Sequence, residues 1–152
     1  GGWANRDIIQ WFDHYAKTCA GLFGDRVKHW MIINEPSVIS YLGHALGIFA
    51  PGIADEKSYW ACVHHLNMVV GTTFRTIKGL LPEASIGSTY TPVPPRVLNP
   101  QDQNMIPLLE GVWHYNFLHP LCTGRYMDVV AEHVVPFIHP GDAEIMRAGL
   151  DF

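Results

Sequence analysis

Apolar residues follow two alternating rhythms along the chain. Ile8, Phe12, Tyr15, Cys19 and Leu22 fall three or four positions apart, the repeat that puts an apolar face on an α-helix. Asn5 precedes this stripe as a candidate N-cap, Asp7 lies in the first turn, where the helix dipole favours an acid, and Gly24-Asp25 ends it. The rhythm then changes. Val27 to Ile33 finishes in a short, continuous apolar run, which suits a strand buried on both faces. Asn34-Glu35-Pro36 breaks it. Residues 37–55 are Gly-rich with few helix signals, and predict a long loop closing at Ala50-Pro51-Gly52. Helical spacing returns with Trp60, Val63, Val70, Phe74, Ile77 and Leu81, and stops at Pro82. Ala84 to Tyr90 is a second short strand, ended by Pro92, Pro94 and Pro95, which begin a rigid loop to Pro100. A third helix is expected from about Asp102 to Leu118, with Ile106, Leu109, Trp113 and Phe117 on one face. Pro107 lies in its first turns, where a missing N–H is tolerated. Shorter helical pieces follow around Met127 to Val135 and Asp142 to Ala148.

This alternation means βα units on a parallel sheet, joined by right-handed crossovers. Two strands and the approach to a third make neither a closed barrel nor a doubly wound sheet. Polar residues at the C-terminal end of a buried parallel strand are where α/β folds carry their chemistry, which singles out Asn34 and Glu35.

Composition narrows the possibilities. Of 152 residues, 48% are hydrophobic and 16% charged, a balance that excludes intrinsic disorder. No apolar run approaches the roughly 18 residues of a spanning helix, so no membrane partner is expected. Ten basic against fourteen acidic residues give a net charge of -4. Without a basic stripe to neutralise phosphates, nucleic acid is not expected either. Cys19, Cys62 and Cys122 lack metal or redox spacing and read as buried small hydrophobes. His64-His65 looks like a ligand pair, but adjacent helical side chains point about 100° apart, so no metal site is expected. His29, within the strand, reads as a packing residue.

Glu35 is the residue best placed for chemistry. It ends an apolar strand, with Trp30 and Ile33 before it and Pro36 after it. Apolar surroundings disfavour a bare charge, and a carboxyl so placed can carry a proton to a leaving group as a general acid. Asn34 offers a donor and an acceptor, suited to reading a hydroxyl. Pro36 fixes its own φ and biases Glu35 towards extended backbone. The tripeptide by itself is weak, since a Glu at a strand end is usually a plain loop carboxylate. The strand before and the Gly-rich loop after supply the context. Tyr41 and Phe49, on that loop, are the candidate aromatic residues for binding a ligand. Trp30 and Trp113 read as core.

A set of segments in order carries a resemblance. These are Gly1-Gly2-Trp3-Ala4-Asn5, Gly24-Asp25-Arg26-Val27-Lys28-His29-Trp30, Asn34-Glu35-Pro36 and Gly47-Ile48-Phe49-Ala50-Pro51-Gly52. Thr91-Pro92-Val93, Phe117-Leu118-His119-Pro120-Leu121 with Gly124-Arg125-Tyr126, and Leu150-Asp151-Phe152 continue it. Together they resemble the family 1 glycoside hydrolases, the β-glucosidase family, across essentially the whole chain. The resemblance implies part of a (β/α)8 barrel, running from the third barrel helix to the start of the sixth strand. A barrel of this kind needs about 250 residues or more. Residues 1–152 then read as a partial catalytic domain, with the absent initiator Met and the abrupt Leu150-Asp151-Phe152 as its two cuts.

By the same resemblance Glu35 corresponds to the general acid/base and Asn34 to the neighbour that binds the sugar's 2-hydroxyl. The nucleophile sits in a Thr-Glu-Asn-Gly type motif on a later strand, and no such motif is in this chain; Glu56, Glu83, Glu110, Glu132 and Glu144 fall in helix or loop contexts. The implied activity is that of a retaining β-glycosidase on a small β-glycoside or oligosaccharide, without metal or organic cofactor, and the isolated chain is expected to be inactive. Either self-association or the missing part of the barrel is expected to cover its open edges. Departures from the family pattern are Ser37 for an aromatic, Phe49 for His, Thr89 for Asn and His119 for Asp. Two alternatives stand beside this reading. One is a cellulase-like retaining barrel glycosidase, against which Gly1-Gly2-Trp3 and Phe117 to Tyr126 argue. The other is a non-catalytic carbohydrate-binding or interaction fragment.

Overall fold

One long helix organises the molecule. In the computed structural model, which describes residues 1–152, α2 spans Glu56–Leu80. Asp55 caps it, accepting from the Ser58 N–H at 2.6 Å, and so satisfies one of the free donors of the first turn. Hydrophobic spacing predicts a single buried stripe, yet every residue from Tyr59 to Gly71 is buried. A helix buried all round needs neighbours on every side. These are α1 (Ile8–Phe23), the sheet, a π-helix over Val38–Ala45, α4 (Asn116–Thr123) and α6 (Asp142–Met146).

The stripe predicted for α1 is rotated. Phe12, Ala16 and Ala20 face the core, while Tyr15 and Leu22 are each 61% exposed. Two alanines let the helix backbones approach, and side chains about 100° further round are left outside. Asp7 rather than Asn5 occupies the cap position; the Asn5 side-chain Oδ1 accepts from the Asp7 N–H at 3.0 Å in an Asx turn.

The sheet holds β1 (His29–Asn34) and β2 (Ser85–Thr89), paired in parallel with Trp30 opposite Ile86 and Asn34 opposite Thr89. The register is irregular between Met31 and Asn34. α2 is the crossover that parallel strands require. Ile86 exchanges two further bonds with Asp151, whose N–H donates to its carbonyl and whose carboxylate accepts from its N–H, both at 2.8 Å. Residues 150–152 thus run beside β2 on the edge away from β1, as the expected approach to a third strand. His29 is exposed, its ring edge-on to Phe152 at 6.5 Å. It sits at the margin of the sheet and is not a packed interior residue.

The third helix departs from a regular 102–118 span. It runs as a 3₁₀ turn (Pro100–Met105), α3 (Ile106–Glu110), a π-turn (Gly111–Tyr115) and α4, ending at Gly124 with φ 75°. The wider turn resets the buried face, so Phe117 is fully buried while Leu109 is 45% exposed. α5 (Asp128–Val134) and α6 complete the chain. Of the cysteines only Cys62 is buried; Cys19 is half-buried and Cys122 exposed, so the expectation of three buried residues holds for Cys62 alone. No helix is long and apolar enough to cross a membrane.

A polar network threads this core. His64 bonds Tyr126 Oη at 3.0 Å and Asp142 Oδ2 at 2.9 Å. The other Asp142 oxygen accepts from Arg6 at 2.6 Å, and Oδ2 also accepts from the His139 N–H. Asn67 donates to Tyr126 Oη and to the Asn116 carbonyl. His64 and His65 therefore do not converge on one ion. His65 turns to the Trp3 carbonyl at 2.9 Å, and the two rings lie 6.1 Å apart. A buried polar group without a partner is costly, and this network pairs the side chains of His64, Asn67, Tyr126 and Asp142 with one another or with the backbone.

Candidate functional site

Asn34 and Glu35 stand together at the C-terminal end of β1. Asn34 is exposed and Glu35 half-buried. Glu35 does not take the extended backbone that the following proline favours; its φ is +48°. The reason lies in where its backbone bonds go. The Glu35 N–H donates to the Thr89 carbonyl at 3.1 Å, while its own carbonyl accepts from Val38 at 2.9 Å. The chain must leave the sheet and enter a helical turn within one residue, with Pro36 in the first position of that turn. A left-handed non-glycine residue costs of order 1 kcal/mol and persists only where its surroundings hold it, a pattern that clusters at functional sites. No side-chain hydrogen bond or ion pair engages the Glu35 carboxyl.

The segment after Glu35 is not a plain loop. Val38–Ala45 is a π-helix, with the Ser40 hydroxyl donating to the Pro36 carbonyl at 2.9 Å. Few residues there signal a helix, and the turns form because the core covers Pro36, Ser37 and Ser40. Beyond it, Gly47 and Gly52 take positive φ, and the loop folds back on the helix, Phe49 N–H donating to the Leu42 carbonyl at 3.0 Å.

Tyr41 and Phe49, the two aromatic candidates, are separated by this arrangement. Tyr41 is half-buried, edge-on to Tyr59 at 6.0 Å and to Trp113 at 5.7 Å. It lines an apolar cavity of about 350 Å³ with Val93, Pro95, Leu109, Val112 and Trp113. Trp113 is thus a cavity wall and not core; its indole N–H donates to the Thr91 carbonyl at 3.1 Å. Trp30 is half-buried too, its indole held by the Val27 carbonyl at 3.3 Å. Phe49 is 53% exposed and is not part of that wall. Beneath Tyr41, the Tyr59 hydroxyl donates to the Val112 carbonyl at 2.7 Å, and burial pushes its pKa up, so it stays neutral.

Thr89 is the residue that sequence reasoning undervalued. Its hydroxyl donates to Asn34 Oδ1 at 2.8 Å, across the strand pair. Its signal in the sequence is only a departure from a family pattern; the pairing register is what brings it to Asn34. Tyr90 and Thr91 follow it, so the C-terminal end of β2 offers no carboxylate. Glu83 precedes β2, Glu56, Glu132 and Glu144 lie in α2, α5 and α6, and Glu110 ends α3.

Known proteins share this fold. The chain is 32% identical over 158 residues to a 1,4-beta-D-glucan glucohydrolase of Thermotoga neapolitana, covering all of this chain and 37% of that protein. It is 56% identical over 175 residues to an isoflavonoid 7-O-beta-apiosyl-glucoside beta-glycosidase of Dalbergia nigrescens, covering all of this chain and 31% of that protein. A crystal structure of a psychrophilic beta-glucosidase from Micrococcus antarcticus superposes with a TM-score of 0.92 at 32% identity, over the whole chain and 34% of that structure. The chain therefore spans about a third of the length of the relatives it matches. Its sheet and helices form part of a (β/α)8 barrel. The model of Glycosyl hydrolase family 1 matches residues 1–152, and the chain belongs to that family.

Proposed function

We propose that the protein acts as a retaining β-glycosidase of the β-glucosidase type, with residues 1–152 as part of one larger catalytic domain. Glu35 is its general acid/base. In the first step the Glu35 carboxyl gives its proton to the glycosidic oxygen as the C–O bond breaks and a second carboxylate attacks the anomeric carbon. In the second step the Glu35 carboxylate takes a proton from the water that displaces that carboxylate. Asn34 binds the 2-hydroxyl of the sugar. Tyr41 and Phe49 contribute further substrate-binding contacts, and the substrate is a small β-glycoside or oligosaccharide. The nucleophile lies outside these residues.

The observation that carries this reading is Glu35 itself. It is a carboxyl at the C-terminal end of a parallel strand, in a left-handed backbone conformation, free of side-chain partners and next to Asn34. The test is hydrolysis of 4-nitrophenyl β-glucoside by the full-length protein and by Glu35→Gln. Loss of general acid catalysis predicts a fall of about 10²–10⁴-fold in the variant. The loss is expected to shrink with a 2,4-dinitrophenyl leaving group, which needs no proton. Unchanged rates in Glu35→Gln, or turnover by the 152-residue chain alone, would count against the assignment.

A further inference from the structure

Thr89 touches Asn34 and Glu35 at once. Its hydroxyl donates to Asn34 Oδ1 at 2.8 Å, and its carbonyl accepts from the Glu35 N–H at 3.1 Å. The other acceptor near the hydroxyl, the Met31 sulfur at 3.6 Å, is longer and weaker. Asn34 is exposed, and an exposed amide without a fixed partner samples both flips. With its oxygen occupied by Thr89, the Asn34 amide presents its NH₂ group outward as a donor. The strand pairing sets this up, since Asn34 and Thr89 are register partners just past the irregularity between Met31 and Asn34.

We propose that Thr89 is a positioning residue that orients the Asn34 amide towards the substrate and holds the backbone turn of Glu35; this rests on the roles assigned to Asn34 and Glu35 above. The carbonyl half of this clamp is available to any residue at position 89. The hydroxyl half is particular to Thr or Ser. This chain therefore reaches, with a hydroxyl, a position where the resembling family commonly carries an amide side chain.

The experiment uses the full-length protein with Thr89→Val, which keeps the shape and removes the hydroxyl, Thr89→Ser, which restores it, and Glu35→Gln. Each is assayed on 4-nitrophenyl β-glucoside and on its 2-deoxy analogue. One lost hydrogen bond to an orienting group predicts about a tenfold fall in kcat/KM for Thr89→Val on the glucoside, and a change of less than about twofold for Thr89→Ser. On the 2-deoxy analogue, where Asn34 has no hydroxyl to bind, Thr89→Val is expected to match the parent. In an Asn34→Ala background, Thr89→Val is expected to add no further loss, whereas a general folding defect would add one there too. Equal losses on both substrates, or an undiminished Thr89→Val alongside an inactive Glu35→Gln, overturn the clamp and leave the acid/base reading standing. A parent protein without β-glucosidase activity, or an active Glu35→Gln, overturns the acid/base reading and the clamp with it.

Discussion

Acid is expected to weaken this fold through His64. The ring is fully buried, with Tyr126 on one nitrogen and Asp142 on the other. Donation from Nε2 to the Asp142 carboxylate leaves Nδ1 to accept from the Tyr126 hydroxyl, which is the neutral tautomer. Burial drives the His64 pKa down from 6.5 to about 4, and the opposing pull of Asp142 does not offset it. The unfolded chain therefore takes up a proton near pH 6.5 that the native state refuses until about pH 4. Stability from this group is complete above pH 6.5, falls between 6.5 and 4, and is level below. At 1.36 kcal/mol per unit, that gap amounts to about 3 kcal/mol. His44, His65 and His114 are also shifted down by burial and act in the same direction. Burial raises the Asp142 pKa, but Arg6, the His139 N–H and His64 outweigh it and hold the carboxyl below its ordinary value. Its contribution is present above the ordinary carboxylate pKa and is lost below it, outside this window. Urea unfolding followed by tryptophan fluorescence at pH 7, 6, 5 and 4 measures the slope. His64→Gln preserves a donor to Asp142 and an acceptor for Tyr126 but cannot titrate. Its stability is expected to fall with pH by about 1 kcal/mol per unit less than the parent's between pH 6 and 4.5. Parallel curves for the two proteins would refute the reasoning.

Two further outcomes follow from packing. Gly71→Ala lies inside α2, where alanine normally favours a helix by up to about 1 kcal/mol. Here a Cβ would overlap the Ile145 carbonyl, so the variant is expected to be less stable by about 1–3 kcal/mol, and an unchanged or raised urea midpoint would contradict the contact. The 152-residue chain is expected to self-associate, because β1 has a strand on one edge only and Trp11, Tyr15, Leu22 and Met31 are each more than half exposed. Sedimentation velocity across a concentration series checks this, and a monomer throughout with one cooperative melt would overturn it.

The order of α1, β1, α2 and β2 was readable from spacing because each element's period is a local property of the chain. The Asn34-Glu35 pair was readable for a related reason: polar residues that abruptly end an apolar run mark a strand's C-terminal end. The face each helix buries was less legible. Periodicity finds an apolar stripe on α1, but the alanines at 16 and 20 decide which side meets α2, since close approach rewards small residues over large ones. The polar positions His64, His65 and Asn67 made α2 look half-exposed, yet partners from Trp3, Tyr126, Asn116 and Asp142 let all of them be buried.

The sequence by itself determined the α/β class, the parallel pair and the carboxyl at the end of its first strand. Tertiary structure alone decided three things about that carboxyl's surroundings. It set the left-handed backbone of Glu35, because the Thr89 carbonyl and the Val38 N–H both had to be bonded across one residue. It made a π-helix of residues that carry few helix signals. It also brought Thr89 to Asn34 from 55 positions away. Local patterns record what a residue prefers next to its neighbours. Register and close packing join residues far apart in the chain, and no local preference contains them.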